Sequence, residues 1–148
     1  MNVDFQCKSF SKLSVEELYL LLRLRSEVCI VEQNCPYQDL DNKDQVSYHL
    51  LMYKDNQLAG YARLLPAGVS YSEASIGRVI TSQQFRGKGY GRTLMNKAIE
   101  ECNRIFGKQK IVISAQVYAV PFYKSLSFVP VGEECMEDDI PHIQMILE

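Results

Sequence analysis

A chain of 148 residues with 47% hydrophobic and 23% charged side chains has the length of one domain and an ordinary globular composition, which sets aside disordered, collagenous and coiled-coil architectures. Sixteen Lys and Arg against eighteen Asp and Glu leave a formal net charge of -2, so nucleic acid is not an expected partner and any basic site must be local. No stretch approaches the roughly 18 uncharged apolar residues of a membrane span, and Met1 to Phe10 lack a secretory apolar run, so a cytoplasmic protein without a membrane partner is expected. The five cysteines are odd in number and form no Cys-x-x-Cys pair, and only His49 and His142 could join them. Reduced thiols and no metal are therefore expected.

In chain order, Ser14 and Glu17 form a capping box before Leu18, Leu21, Leu22, Val28 and Cys29, which recur on one helical face; the spacing predicts a helix from Val15 to about Ile30. The polar run from Asn34 to Val46, around Pro36, predicts a long loop. Tyr48 to Tyr53 and Leu58 to Leu65 read as a hairpin turned by Asp55-Asn56, and Ala74 to Thr81 reads as a third strand. Leu94, Met95, Ala98, Ile99, Cys102, Ile105 and Phe106 mark the clearest helix, with Gly107 placed for a left-handed cap. Ile111 to Gln116 reads as a buried strand, Ala119 to Leu126 as a short helix, and Phe128 to Gly132 and His142 to Leu147 as two further strands. This order suits an α/β or α+β domain with a mixed central sheet.

The most informative segment is Arg86-Gly87-Lys88-Gly89-Tyr90-Gly91-Arg92, set between a predicted strand and the best helix. Three alternate glycines clear side chains from the backbone, the first-turn amides lack intrahelical acceptors, and the helix dipole with Arg86, Lys88 and Arg92 favours an anion such as a pyrophosphate. A tight strand-to-helix turn with solvated charges would use the same residues. A Walker loop and a dinucleotide fingerprint are both incompletely matched, the latter because Arg92 stands where a glycine belongs.

Arg-x-x-Gly-x-Gly in this setting resembles the acetyl-CoA pyrophosphate loop of the GNAT N-acetyltransferase superfamily. The runs Glu32 to Asp41, Ile76-Gly77-Arg78-Val79, Ser114-Ala115-Gln116, Phe122-Tyr123 and Ile140-Pro141-His142 resemble its ElaA-like branch, so that the likeness covers nearly the whole chain. The resemblance implies one GNAT domain over residues 1–148, with a mixed, mostly antiparallel sheet flanked by helices. It implies acetyl-CoA as co-substrate, with the backbone of Val79, Ile80 and Thr81 on the pantetheine arm and Arg86, Gly87, Lys88, Gly89, Tyr90, Gly91 and Arg92 at the pyrophosphate. It also implies direct transfer of acetyl to a primary amine of a small molecule or peptide, and it leaves a homodimer open. A CoA-binding module without turnover is the rival reading.

Acetyl transfer needs an unprotonated amine, a donor for the developing oxyanion and a hydrogen bond to the departing thiolate. Tyr123 matches the family tyrosine in the last role; as a short-helix aromatic it could equally pack into the core. The amide of Val79 or a neighbour is the implied oxyanion donor. Glu32, Gln33, Tyr37, Asp39 and Asp41 surround the loop where the resemblance places the acceptor, with His142 nearby, though Asp side chains capping a solvated loop would look alike in sequence. Glu137-Asp138-Asp139 reads as a site wall or a charged turn. Arg63 and Arg78 on strands call for carboxylate partners, and His49 reads as a structural histidine. Ser127 and Asp139 stand where glycines are usual in the branch. The former makes a reshaped turn before Phe128 the expectation.

Overall fold

The computed structural model describes residues 2–148. The elements are β1 (Asp4–Ser9), α1 (Val15–Arg25), β2 (Tyr48–Lys54), β3 (Gln57–Leu65), β4 (Ala74–Thr81), α2 (Tyr90–Phe106), β5 (Ile111–Gln116), α3 (Val120–Ser125), β6 (Val129–Glu137) and β7 (Ile140–Leu147). They build one mixed sheet in the order β1-β2-β3-β4-β5-β7-β6. Every neighbouring pair is antiparallel except β4 and β5.

Strand alternation sends neighbouring residues to opposite faces of the sheet. Leu50, Met52, Ala62 and Leu64 face α2 and pack with Leu94, Met95, Ala98 and Cys102, while Leu51 and Tyr61 face α1 and pack with Leu21, Leu24 and Val28. Both faces of β2 and β3 are therefore covered, which explains why these strands read as continuous apolar runs rather than alternating ones. No helix among the described residues is long and apolar enough to cross a membrane.

The capping box forms as the sequence indicates, with the Ser14 hydroxyl accepting from the Glu17 amide at 3.0 Å and the Glu17 carboxylate accepting from the Ser14 amide at 2.8 Å. The helix does not continue regularly to Ile30, however. After Arg25 it widens into a π-helical segment, Ser26–Glu32. Two-residue turns with positive φ join β2 to β3 at Asp55-Asn56 and β6 to β7 at Asp138-Asp139. Asp and Asn tolerate this geometry better than most non-glycine residues, which is how Asp139 can stand in a glycine position.

Ser127 takes φ 77° two residues after the end of α3, and its amide donates to the Lys124 carbonyl at 2.9 Å. The left-handed turn into β6 is made with a serine. Gly107 has positive φ, but its ψ of 156° lies in a glycine-only extended region instead of the left-handed helical one. The last two strands are longer than expected, β6 running on to Glu137 and β7 beginning at Ile140.

Candidate active site

Strands β4 and β5 pair only at Ala74↔Ile111 and Ser75↔Val112 and then part. The cause lies in β4. Between Arg63↔Gly77 and Tyr61↔Ile80 the strand carries one residue more than β3, a bulge at whose centre Arg78 has φ 50°. A non-glycine residue in that region costs about 1–2 kcal/mol, which must be offset by contacts of its side chain. Arg78 Nε donates to Asp39 Oδ1 at 2.8 Å and Nη2 donates to the Asp39 carbonyl at 3.2 Å, with the guanidinium 5.9 Å from the centre of the Tyr37 ring. Beyond Ser75, the edge of β4 facing β5 has no strand partner among the described residues.

The parting opens a cleft of about 740 Å³, lined by Val79, Ile80, Thr81 and Arg86 from the β4 side, by Ser114, Gln116 and Tyr123 from the β5 side, and by Glu32, Gln33 and Tyr37 above. Glu137, Asp138 and His142 line its far wall, so the acidic hairpin turn is both a turn and part of the cleft. Asp41 lines it as well, whereas Asp39 does not; Asp39 stands behind Arg78 and Tyr37, accepting from Tyr37 Oη at 3.4 Å.

The long loop is fixed from inside by three arginines. Arg25, fully buried, donates to Asp39 Oδ2 at 2.9 Å and to Asp44 Oδ1 at 2.7 Å, and Arg63 donates to both oxygens of Asp41 at 2.8 Å and to Asp44 at 3.0 Å. The carboxylate partners expected for Arg63 and Arg78 are present. Arg25 belongs to no sequence motif, yet its place four residues after Leu21 and three before Val28 puts a cation on the core face of α1. His49 is satisfied as a structural histidine: Nε2 donates to the Asp44 carbonyl at 2.9 Å and Nδ1 accepts from the Tyr61 hydroxyl at 2.6 Å. Burial holds its pKa below the usual value despite the neighbouring Asp44.

At the other end of the free edge, Gly87 and Gly89 have φ of 77° and 83°, and the latter caps α2. A Cβ at Gly87 would meet nothing within 4 Å, so the turn is open to solvent on that side. Arg86 holds the turn to β4 by donating twice to the Thr81 carbonyl, at 3.1 and 2.9 Å. Tyr90 packs inward against Phe85 in an edge contact of 5.7 Å, which leaves its amide as the group turned to the helix end. Arg92 donates to Ser125 Oγ at 2.7 Å and lies over the Phe122 ring, tying α2 to α3. Lys88 is exposed.

Tyr123 stands in the cleft wall with its ring in edge contact with Phe122 at 5.2 Å and Phe128 at 5.8 Å. The side chain is a packed ring that also lines the cleft. Burial pushes its pKa up to about 12, so the phenol keeps its proton at neutral pH. On the far wall Ser114 Oγ lies 3.0 Å from each Glu137 carboxylate oxygen. His142 Nδ1 is 2.7 Å from the Ile140 carbonyl, which can only accept, so Nδ1 carries the proton and Nε2 faces Glu137 at 3.7 Å. Cys29 is buried and its thiol pushed up by that burial, the wrong direction for an activated nucleophile. Cys35 donates instead to the Asp138 carbonyl at 2.8 Å, linking the loop to the β6–β7 hairpin.

Residues 24–148 match the family model described as acetyltransferase (GNAT) domain. The chain is 42% identical to Protein ElaA of Escherichia coli (strain K12) over 148 residues, covering 99% of this chain and 97% of that protein. Among solved structures, an acyl-CoA N-acyltransferase from Pseudomonas aeruginosa is 41% identical with a TM-score of 0.92, covering 98% of this chain and 99% of the other. The crystal structure of Escherichia coli ElaA gives the same TM-score, at 41% identity over 99% of this chain and 100% of that one.

Proposed function

The chain belongs to the GNAT acetyltransferase family, and from that membership and the cleft we propose an N-acetyltransferase, formed by residues 1–148 as one domain, that passes acetyl from acetyl-CoA directly to a primary amine of a small molecule or peptide. One observation carries the reading furthest: the unpartnered edge of β4 runs between an open glycine turn at a helix N-terminus and a protonated tyrosine.

The residues fit acyl-CoA. The backbone of Val79, Ile80 and Thr81 offers strand hydrogen-bonding groups to an extended pantetheine amide chain, as an added strand would use them. The amides from Gly87 to Arg92 and the charges of Arg86, Lys88 and Arg92 suit the pyrophosphate. Acetyl-CoA supplies a thioester, activated towards an amine without a covalent enzyme adduct. In this account the amide of Val79, beside the bulge, donates to the acyl oxygen as negative charge develops there, and the Tyr123 phenol donates to the departing sulfur. Glu32, Gln33, Tyr37 and His142 line the acceptor side, while Asp39 acts on it through Arg78 and Tyr37. The carboxylate of Glu137, held by Ser114 and not by an arginine, favours a cationic amine.

The test is thiol release from acetyl-CoA, followed with a panel of polyamine, amino-sugar, amino-acid and lysine-peptide acceptors. Direct transfer predicts amine-dependent release with intersecting initial-rate lines. Parallel lines, or no amine among these classes that accelerates release, would count against it.

A further inference from the structure

Arg86 is shared between two tasks. Its Nε and Nη2 hold the Thr81 carbonyl, while Nη1 donates to Glu32 Oε1 at 2.6 Å, across the mouth of the cleft. Glu32 is the last residue of the π-helical segment and lines the same cleft. Among the described residues, Arg86 is the one cation of the turn 86–92 that is ion-paired to a carboxylate. Anionic phosphates at that turn and the Glu32 carboxylate therefore compete for one guanidinium and repel each other. The bridge is partly exposed, with side-chain accessibilities of 40% and 25%, so it is weak enough to be exchanged. π-Helical turns are frequent at functional sites.

We propose that Glu32 is a latch residue with two alternative partners: Arg86 before acyl-CoA binds, and the ammonium group of the acceptor once the cofactor's phosphates have drawn Arg86 away. This rests on the acyl-CoA reading given above. Before cofactor arrives the carboxylate is neutralised and offers little to an amine; afterwards it faces the cleft as an unpaired anion. By linkage, cofactor and cationic acceptor then strengthen each other's binding.

The consequence is that wild-type Glu32 opposes cofactor binding. Calorimetric titration of CoA at low salt into the wild type, Glu32→Gln, Arg86→Gln and the double variant tests this without knowledge of the acceptor. Glu32→Gln should bind CoA about two- to fivefold more tightly, the range set by a surface ion pair. The gain should vanish in the Arg86→Gln background and shrink at about 0.5 M salt. Glu27→Gln, on the same segment but lining a separate groove with Leu20 and Arg23, should leave the affinity unchanged. Equal or weaker binding by Glu32→Gln overturns the latch, as does a gain that persists without Arg86, which would be a bulk charge effect. Failure of the wild type to bind CoA is a different outcome: it removes the acyl-CoA reading itself, and the latch with it.

Discussion

Replacing Tyr123 with phenylalanine is expected to lower kcat about a hundredfold while leaving acetyl-CoA affinity and the KM for the amine within about twofold. The substitution removes one oxygen and keeps the ring, so the edge contacts with Phe122 and Phe128 survive and α3 stays seated. What is lost is the hydroxyl proposed as donor to the departing sulfur, a phenol whose pKa burial pushes up to about 12. A loss in kcat alone is the signature of an interaction made chiefly in the transition state. Unchanged turnover would reduce Tyr123 to a packing aromatic and move the donor role to water.

Asp44→Ala should destabilise the fold by about 2–4 kcal/mol, measured by denaturant unfolding, because it removes the carboxylate shared by two buried guanidinium groups and leaves one N–H donor of each unpaired. Asp44 is buried and accepts from both Arg25 and Arg63, so its removal leaves Arg25 with Asp39 alone and loosens the loop over the cleft. The same network sets the acid limit of stability. Burial alone would raise the pKa of Asp41 and of Asp44, but the arginines outweigh it and hold both below the ordinary carboxylate range. A carboxylate depressed in the folded state contributes stability that is fully present above its unfolded value, near pH 4, and lost as the pH falls towards the folded value. His49, held below its usual value, follows the same sign from about pH 6.5 downward. The melting temperature should therefore fall on acidification, gently below about pH 6.5 and steeply below about pH 4. The steep part should be shallower in Asp44→Ala.

What could be read from the sequence was whatever is encoded locally. The capping box, the Asp55-Asn56 turn, the apolar face of α2 and the glycine turn each depend on residues within a few positions of one another, and each is found where the pattern puts it. Strand β1 was missed because its signal is only Phe5 and Cys7 turned inward between polar neighbours, and its pairing is dictated by β2 at a distance. The π-helical segment keeps Val28 and Cys29 on the buried side as an α-helix would, so apolar spacing cannot distinguish the two. The length of β6 was hidden because it is an edge strand exposed along most of its course, with no alternation to read.

In the cleft, the family pattern identified the segments but not which side chains are free to act. Arg78 at positive φ and Asp39 withdrawn behind it follow from a contact made across 39 residues and from the twist of a bulged strand. Arg25 leaves a faint local trace, a cation on the core face of α1, but nothing local marks Asp39 and Asp44, 14 and 19 residues further on, as its partners.

The most direct measurement is a calorimetric titration of acetyl-CoA into the wild-type protein and into Gly91→Asp. Gly91 lies in the first turn of α2, where a Cβ would make only an ordinary contact, 3.9 Å from Phe122. A carboxylate there suits the helix dipole by about 0.3–1 kcal/mol, so the variant should melt no lower than the wild type. The same charge sits among the amides assigned to the pyrophosphate. Saturable one-to-one binding by the wild type, absent in Gly91→Asp at concentrations that saturate the wild type, is the predicted result. No binding by the wild type, or equal binding by both proteins, would contradict the assignment of the glycine turn to acyl-CoA.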